Sequence, residues 1–169
     1  MAGYRVLVAD DDPAFRRLLS RAIAGRFEVR EVSSGEAALA MALNWRPDLV
    51  SLDHHMGGWD GLETMRRFQA ESRLAEIPMI MCTSDTSTSL LAEAISLGAK
   101  GFIGKTTFDA ASYRNLVTEV ITCRGQIRRM DGPEAGSRIE DDTREFDGLF
   151  DVAASSGRAT RAGDGCRRH

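Results

Sequence analysis

The sequence has no long apolar run and only three cysteines among its 169 residues. No stretch reaches the roughly 20 apolar residues that a membrane-spanning helix needs. The first residues also lack the basic and then apolar order of a signal peptide. Cys82, Cys123 and Cys166 lie far apart and form no CxxC pair, which argues against a disulfide framework and a zinc site. We therefore expect a cytoplasmic protein that has no membrane partner.

A strong excess of either charge is also missing. The chain has 22 Lys+Arg and 25 Asp+Glu residues, and its formal net charge is -3. This balance gives no reason to expect a nucleic-acid partner. Residues 1–130 carry 16 basic and 16 acidic groups, so the net negative charge belongs to residues 131–169. Only two of the basic residues are lysines, Lys100 and Lys105, which makes each of them worth examining.

Within residues 1–130, short apolar segments alternate five times with segments of helical spacing. The first apolar segment, Tyr4–Ala9, is followed by Asp12 and Pro13, which suit a helix cap and a first helical turn. Four further strands are predicted at residues 27–32, 48–53, 77–83 and 101–104, the third helix at residues 61–72, and the end of the last helix near Arg129. Five such units predict an α/β, doubly wound fold with a five-stranded parallel sheet.

Glycine and polar residues dominate residues 131–169, where large apolar side chains are few. We predict a flexible tail there, after a folded domain of residues 1–130. Residues 139–152 could form a short amphipathic helix, either transient or used for docking. The tail is too polar and too short to bury the core of a second domain.

Polar residues follow four of the predicted strands. Asp10 and Asp11 follow the first, Asp53 ends the third, Thr83 ends the fourth and Lys105 follows the fifth. Doubly wound folds bind ligands at the carboxyl ends of their strands. Carboxylates brought together there repel each other by roughly 4 kcal/mol per pair at about 4 Å and an effective dielectric constant near 20. Such a cluster needs a cation, and a donor set of hard oxygens favours Mg²⁺.

A carboxylate beside bound Mg²⁺ can attack phosphorus and form an aspartyl phosphate. Phosphoryl transfer requires mainly positioning and neutralisation of charge. The hydroxyl of Thr83 and the ammonium group of Lys105 are suitably placed to provide both.

Four segments then occur in a recognisable order: Val6–Pro13, Pro47–Asp53, Asp60–Glu63 and Gly98–Lys105. Together they resemble the receiver domain of two-component response regulators, in particular its stand-alone, chemotaxis-regulator-like form. The resemblance covers about residues 4–127. It implies a flavodoxin-like sheet with the strand order 2-1-3-4-5.

The resemblance also implies a role for each residue of the site. Asp53 matches the phosphoryl acceptor, and Asp10 and Asp11 match the acidic pair that holds Mg²⁺ together with Asp53 and the backbone carbonyl of His55. Thr83 matches the hydroxyl residue that turns toward the phosphoryl group, and Lys105 matches the lysine that pairs with it.

Three further positions match residues that adjust signalling in this family. Phe102 matches the aromatic switch residue, whereas His55 and Asp85 occupy positions that tune the lifetime of the phosphoryl group. The implied partners are a histidine kinase or phosphotransfer protein and an unknown downstream protein. The domain would phosphorylate and dephosphorylate itself rather than act as a turnover enzyme.

Two positions depart from the family pattern. Gly57 stands where a proline is usual, and with Gly58 it makes a permissive loop. Thr106 stands where a cis-proline usually follows the lysine. Because a cis bond before a residue other than proline costs about 2.5–4 kcal/mol, we predict a trans bond and a rearranged loop. His54 and His55 are not expected to bind a metal jointly through their side chains, since consecutive residues of a strand point to opposite sides.

Two alternative functions remain open at this point. A haloacid-dehalogenase-like phosphatase would use Asp10 as nucleophile and Asp12 as acid/base, and would need Asp141 and Asp142 as a further acidic pair. A phosphorylation-independent interaction module is the other alternative, because of the two loop departures.

Overall fold

Five strands and five helices alternate along the chain in a computed structural model that describes the backbone of residues 3–130 and the side chains of residues 3–124. The strands are β1 (Arg5–Ala9), β2 (Glu28–Val32), β3 (Leu49–Asp53), β4 (Met79–Thr83) and β5 (Ala99–Gly104). The helices are α1 (Pro13–Ile23), α2 (Gly35–Trp45), α3 (Gly61–Ala70), α4 (Thr88–Ser96) and α5 (Ala110–Met130), with a 3-10 helix at Lys105–Thr107. The tail of residues 131–169, with the helix predicted near residues 139–152, lies outside the described residues.

All strand pairs of the sheet are parallel, in the order β2-β1-β3-β4-β5. This confirms the predicted fold class and strand order. The order reverses between β1 and β3, so the carboxyl ends of these two strands lie side by side and helices leave them toward opposite faces. The register pairs Asp53 with Cys82 and Thr83 with Gly104, which brings the ends of β3, β4 and β5 to the same edge.

Apolar side chains cover both faces of the sheet. Helices α2, α3 and α4 pack on one face, where Leu7, Val50 and Leu52 belong to their core cluster. Helices α1 and α5 pack on the other face, together with Val6 and Val8 of β1. Burial on both faces explains why the sequences of the central strands β1, β3 and β4 are mostly apolar instead of alternating.

Several predicted boundaries differ from the structure by one or two residues. Strand β4 begins at Met79 rather than at residue 77, because Pro78 has no N–H to donate and contributes only its carbonyl, which accepts a hydrogen bond from Val50. Helix α3 ends at Ala70 rather than at residue 72. The peptide bond between Lys105 and Thr106 is trans, as predicted, and the described residues contain no cis bond. None of the described helices combines the length and the apolar character that crossing a membrane requires.

Candidate functional site

Three carboxylates meet where β1 and β3 end. Asp10, Asp11 and Asp53 each offer one oxygen, and these oxygens all lie within 4.8 Å of one another. Asp10 is fully buried and Asp53 is 2% exposed, whereas Asp11 is open to solvent. The donor set consists of hard carboxylate oxygens with one side open to water, and it fits a hydrated Mg²⁺ ion better than a softer metal.

Lys105 connects the two buried carboxylates. Its Nζ lies 2.8 Å from Oδ2 of Asp10 and 2.8 Å from Oδ2 of Asp53. Burial alone lowers the pKa of Lys105, but its hydrogen bonds to the two aspartates outweigh this effect and raise the pKa above its ordinary value. Burial and the charge of Asp53 raise the pKa of Asp10, and Lys105 only partly opposes that rise. One ammonium group thus faces three carboxylates, which leaves the pocket with an excess of negative charge.

Hydrogen bonds hold Asp10 through both its backbone and its side chain. Its N–H donates to the carbonyl of Val32 at 3.1 Å, and its Oδ1 accepts from the N–H of Asp12 at 2.9 Å. Arg16 donates to the carbonyl of Asp10 at 2.6 Å and forms an ion pair with Glu31 at 3.3 Å. No motif in the sequence predicts this role of Arg16. Its position one turn after the acidic run is the only available signal, and that position does not indicate a contact with a carbonyl.

Thr83 lies at the end of β4, adjacent to the acidic pocket, and is 1% exposed. Its Oγ1 accepts a hydrogen bond from the N–H of Asp85 at 3.0 Å. The carboxylate of Asp85 in turn accepts from the N–H of Ser87 at 2.8 Å, and this bond lowers the pKa of Asp85. These bonds give the segment after β4 a defined turn on the rim of the pocket. Asp85 also lies close enough to His54 and His55 to respond to their charge.

The rings of His54 and His55 contact each other, with their centroids 4.6 Å apart. The prediction that they point to opposite sides is therefore wrong. Strand β3 ends at Asp53, so the alternation of a strand no longer applies to the next two residues. The N–H of His55 donates to Oδ1 of Asp53 at 3.3 Å, which orients the carboxylate of Asp53. The role of the His55 carbonyl as a metal ligand stays a prediction.

The glycine-rich loop after β3 is tied to neighbouring helices. Gly58 adopts a φ of 86°, a conformation that favours glycine. The N–H of Trp59 donates to Glu36 of α2 at 3.1 Å, and Arg67 of α3 lies 4.9 Å from the centroid of the Trp59 ring. These contacts, which join residues far apart in the sequence, restrict a loop that its two glycines alone would leave permissive.

Gly61, the first residue of α3, lies very close to the backbone at the end of β3. A Cβ at this position would lie 2.7 Å from the carbonyl oxygen of Asp53 and 2.8 Å from Cα of His54. The N–H of Gly61 also donates to the carbonyl of His54 at 2.9 Å. Glycine is therefore required here by space, since both neighbours are backbone atoms.

Phe102 lies on β5 and pairs with Met81 of β4. It is partly buried and packs against the core cluster shared with α2, α3 and α4. The structure describes one position of its ring, so its role as a switch stays a prediction.

Comparison with known proteins agrees with this arrangement. The family model of the response regulator receiver domain matches residues 6–118. The chain therefore belongs to the response regulator receiver domain family, whose members act in two-component signalling.

Two curated proteins illustrate the similarity in sequence. A protein-glutamate methylesterase/protein-glutamine glutaminase 2 from Anaeromyxobacter dehalogenans is 40% identical over 118 residues, which cover 67% of this chain and 34% of that protein. The DNA-binding response regulator MtrA of Mycobacterium leprae is 31% identical over 132 residues, 78% of this chain and 54% of that protein. The chain thus spans about a third to a half of the curated relatives it matches.

Among solved structures, the chemotaxis protein CheY4 of Vibrio cholerae superposes with a TM-score of 0.66 at 29% identity. The match covers 70% of this chain and 99% of CheY4.

Proposed function

We propose that this domain accepts a phosphoryl group on Asp53 in a reaction that depends on Mg²⁺. The observation that carries the proposal is the pocket of three carboxylates in which Lys105 lies 2.8 Å from both Asp10 and Asp53. The donor would be a phosphohistidine of a histidine kinase or phosphotransfer protein. Family membership supports that choice of donor.

Each residue of the pocket has a distinct part in this reaction. Oδ of Asp53 attacks phosphorus while the bond from phosphorus to the donor nitrogen breaks, so the phosphoryl group moves to the carboxylate. Asp10, Asp11, Asp53 and the carbonyl of His55 would hold Mg²⁺, which when bound neutralises charge on the phosphoryl oxygens. Lys105 would exchange part of its contact with Asp53 for a phosphoryl oxygen.

The output would follow from the new charge. Thr83, next to the pocket on β4, would turn its hydroxyl toward the phosphoryl group, and Phe102 would change its position in response. His55 and Asp85, on the rim, would control access of water and hence the lifetime of the phosphoryl group. Phosphorylation would thereby favour the form that binds a downstream protein. On this proposal, the domain works in the cytoplasm and undergoes single phosphorylation and hydrolysis events.

The phosphatase alternative loses support in the structure. Oδ1 of Asp12 accepts a hydrogen bond from the N–H of Ala14 at 2.8 Å and caps α1. A carboxylate so engaged is badly placed as an acid/base for a reaction at Asp10. The further acidic pair at Asp141 and Asp142 lies outside the described residues.

The intact mass of the protein after incubation with acetyl phosphate and Mg²⁺ tests the proposal. We expect an adduct of one phosphoryl group that is lost in Asp53→Asn and retained in the matched variant Asp12→Asn. Chelation of Mg²⁺ with EDTA should prevent its formation. An adduct that persists in Asp53→Asn but disappears in Asp10→Asn would instead support the phosphatase. Absence of any adduct, with partner binding preserved in Asp53→Ala, would favour the phosphorylation-independent module.

A further inference from the structure

Three aromatic rings form a continuous chain on the α1–α5 side of the sheet. Phe15 of α1 meets Phe108 edge to face, with ring centroids 5.3 Å apart and an interplanar angle of 75°. Phe108 contacts Tyr113 of α5 at 5.9 Å. Tyr113 is fully buried, whereas Phe15 and Phe108 are partly buried. The chain of rings thus runs from the core to the edge of the acidic pocket.

The outer ring of this chain faces the ammonium group of Lys105. Nζ of Lys105 lies 4.9 Å from the centroid of the Phe15 ring. The same nitrogen lies 2.8 Å from Asp10 and from Asp53. An ammonium group over an aromatic face is attracted by the ring, and more strongly where water is excluded. The side chain of Lys105 is 16% exposed, so this attraction acts in a largely dry setting.

Lys105 lies in a short segment between β5 and α5. It begins a 3-10 helix of three residues, Lys105–Thr107. The next residues, Thr106 and Thr107, are exposed to solvent. A lysine side chain has a flexible four-carbon stem, and holding it in one conformation costs entropy.

The backbone of Phe15, in contrast, belongs to a capped helix. It lies in the first turn of α1, which has Pro13 at its start and the side chain of Asp12 as its cap. The edge-to-face contact with Phe108 fixes the plane of the ring. Phe15 therefore offers a fixed aromatic face to the flexible side chain of Lys105.

We propose that Phe15, supported by Phe108, is a positioning residue that holds the ammonium group of Lys105 between Asp10 and Asp53. The contact itself is independent of phosphorylation. Its consequence for the reaction rests on the proposed function, because a displaced ammonium group would meet the incoming phosphoryl group less often.

The presence of only two lysines, Lys100 and Lys105, allows a direct test. Lysine labelled with ¹³C in its side chain gives two sets of NMR signals from the metal-free protein, and exposed Lys100 serves as the internal reference. We expect the Lys105 protons to be shifted by the ring current of Phe15. Phe15→Leu and Phe15→Met should abolish that shift, whereas Phe27→Leu, which alters another partly buried phenylalanine of the same core, should preserve it.

Phosphorylation by acetyl phosphate gives the second measurement. Loss of the ring should slow adduct formation about fivefold in Phe15→Leu, while Phe15→Tyr, which keeps an aromatic face, should stay within twofold of the unaltered protein. Thermal unfolding of each variant shows whether it folds. Both Phe15→Leu and Phe15→Met lack the ring, so the test can still be made if one of them does not fold.

The two measurements separate the inference from the proposed function. Lys105 signals that do not change when the Phe15 ring is removed from a folded variant would overturn the inference, even if the unaltered protein accepts a phosphoryl group. A normal rate of adduct formation in both ring-less variants would likewise overturn it. A protein that takes up no phosphoryl group, but whose Lys105 signals respond to Phe15, would refute the proposed function and leave the positioning contact established.

Discussion

Lys105→Gln removes the ammonium group that contacts two carboxylates of the acidic pocket. In the metal-free protein, its Nζ lies 2.8 Å from each of two carboxylates, one fully buried and one 2% exposed. The substitution keeps a polar side chain of similar length but leaves both carboxylates without their positive partner. Lys100→Gln is the matched control, because Lys100 is the only other lysine and is exposed to solvent.

The cost follows from the burial of the two carboxylates. Removing one partner of a buried ion pair destabilises a protein by about 3–5 kcal/mol, because the remaining charge is left unpaired. The pKa of Lys105 is raised above 10.5 in the folded protein. Its stabilising effect is therefore fully present below about pH 10 and disappears only as the pH rises through the raised pKa. At neutral pH we expect the whole loss.

Urea unfolding in EDTA measures this loss. With a dependence on urea of about 2 kcal/mol per molar, the midpoint of Lys105→Gln should fall by roughly 2 M, and that of Lys100→Gln should not change. The deficit should shrink at pH 5, because Asp10, whose pKa burial raises, then takes up a proton more readily. It should also shrink in Mg²⁺, which replaces the missing charge. Equal midpoints for Lys105→Gln and the unaltered protein in EDTA at neutral pH would refute the reasoning.

Three other predictions concern single sites. Burial raises the folded-state pKa of Asp10 above 3.8, so the stability of the metal-free protein should fall as the pH rises from about 4 through that pKa. Asp10→Asn should remove this decline in the urea midpoints. An unchanged pH profile in Asp10→Asn would show that Asp10 is not its cause. Gly61→Ala should destabilise the domain by about 1–3 kcal/mol, since the added Cβ would lie 2.7 Å from a backbone oxygen. A Cβ at Gly57 would meet no atom within 4 Å. Gly57→Ala should therefore change the stability by less than about 0.5 kcal/mol. Burial raises the pKa of Cys82 to about 12, so iodoacetamide should modify exposed Cys123 but not Cys82 in the native protein, as peptide mapping can show; rapid modification of Cys82 would mean that the core opens.

The elements that the sequence predicts best are those with a local cause. Short segments of strand-like composition alternating with segments of helical spacing predicted all five strands, and Asp12 with Pro13 predicted the start of α1. The position of Asp53 followed from the same logic, because parallel strands end at one edge of a sheet. Boundaries were less accurate where a single residue decides them, as Pro78 does for β4.

Contacts between distant segments escaped prediction. Arg16 donates to the carbonyl of Asp10, and Trp59 is held by Glu36, yet no spacing in the sequence indicates either bond. The orientation of His54 and His55 was predicted wrongly, since it depends on where β3 stops.

The sequence by itself determined the class of fold and the residues that gather at the strand ends. Both follow from the local apolar periodicity and from the parallel direction of the strands. Only the tertiary structure decided how those residues are held. Lys105, which follows β5, contacts carboxylates from the ends of β1 and β3 and lies over the ring of Phe15 in α1. Such contacts join side chains that are remote along the chain, and their geometry exists only once the core has formed.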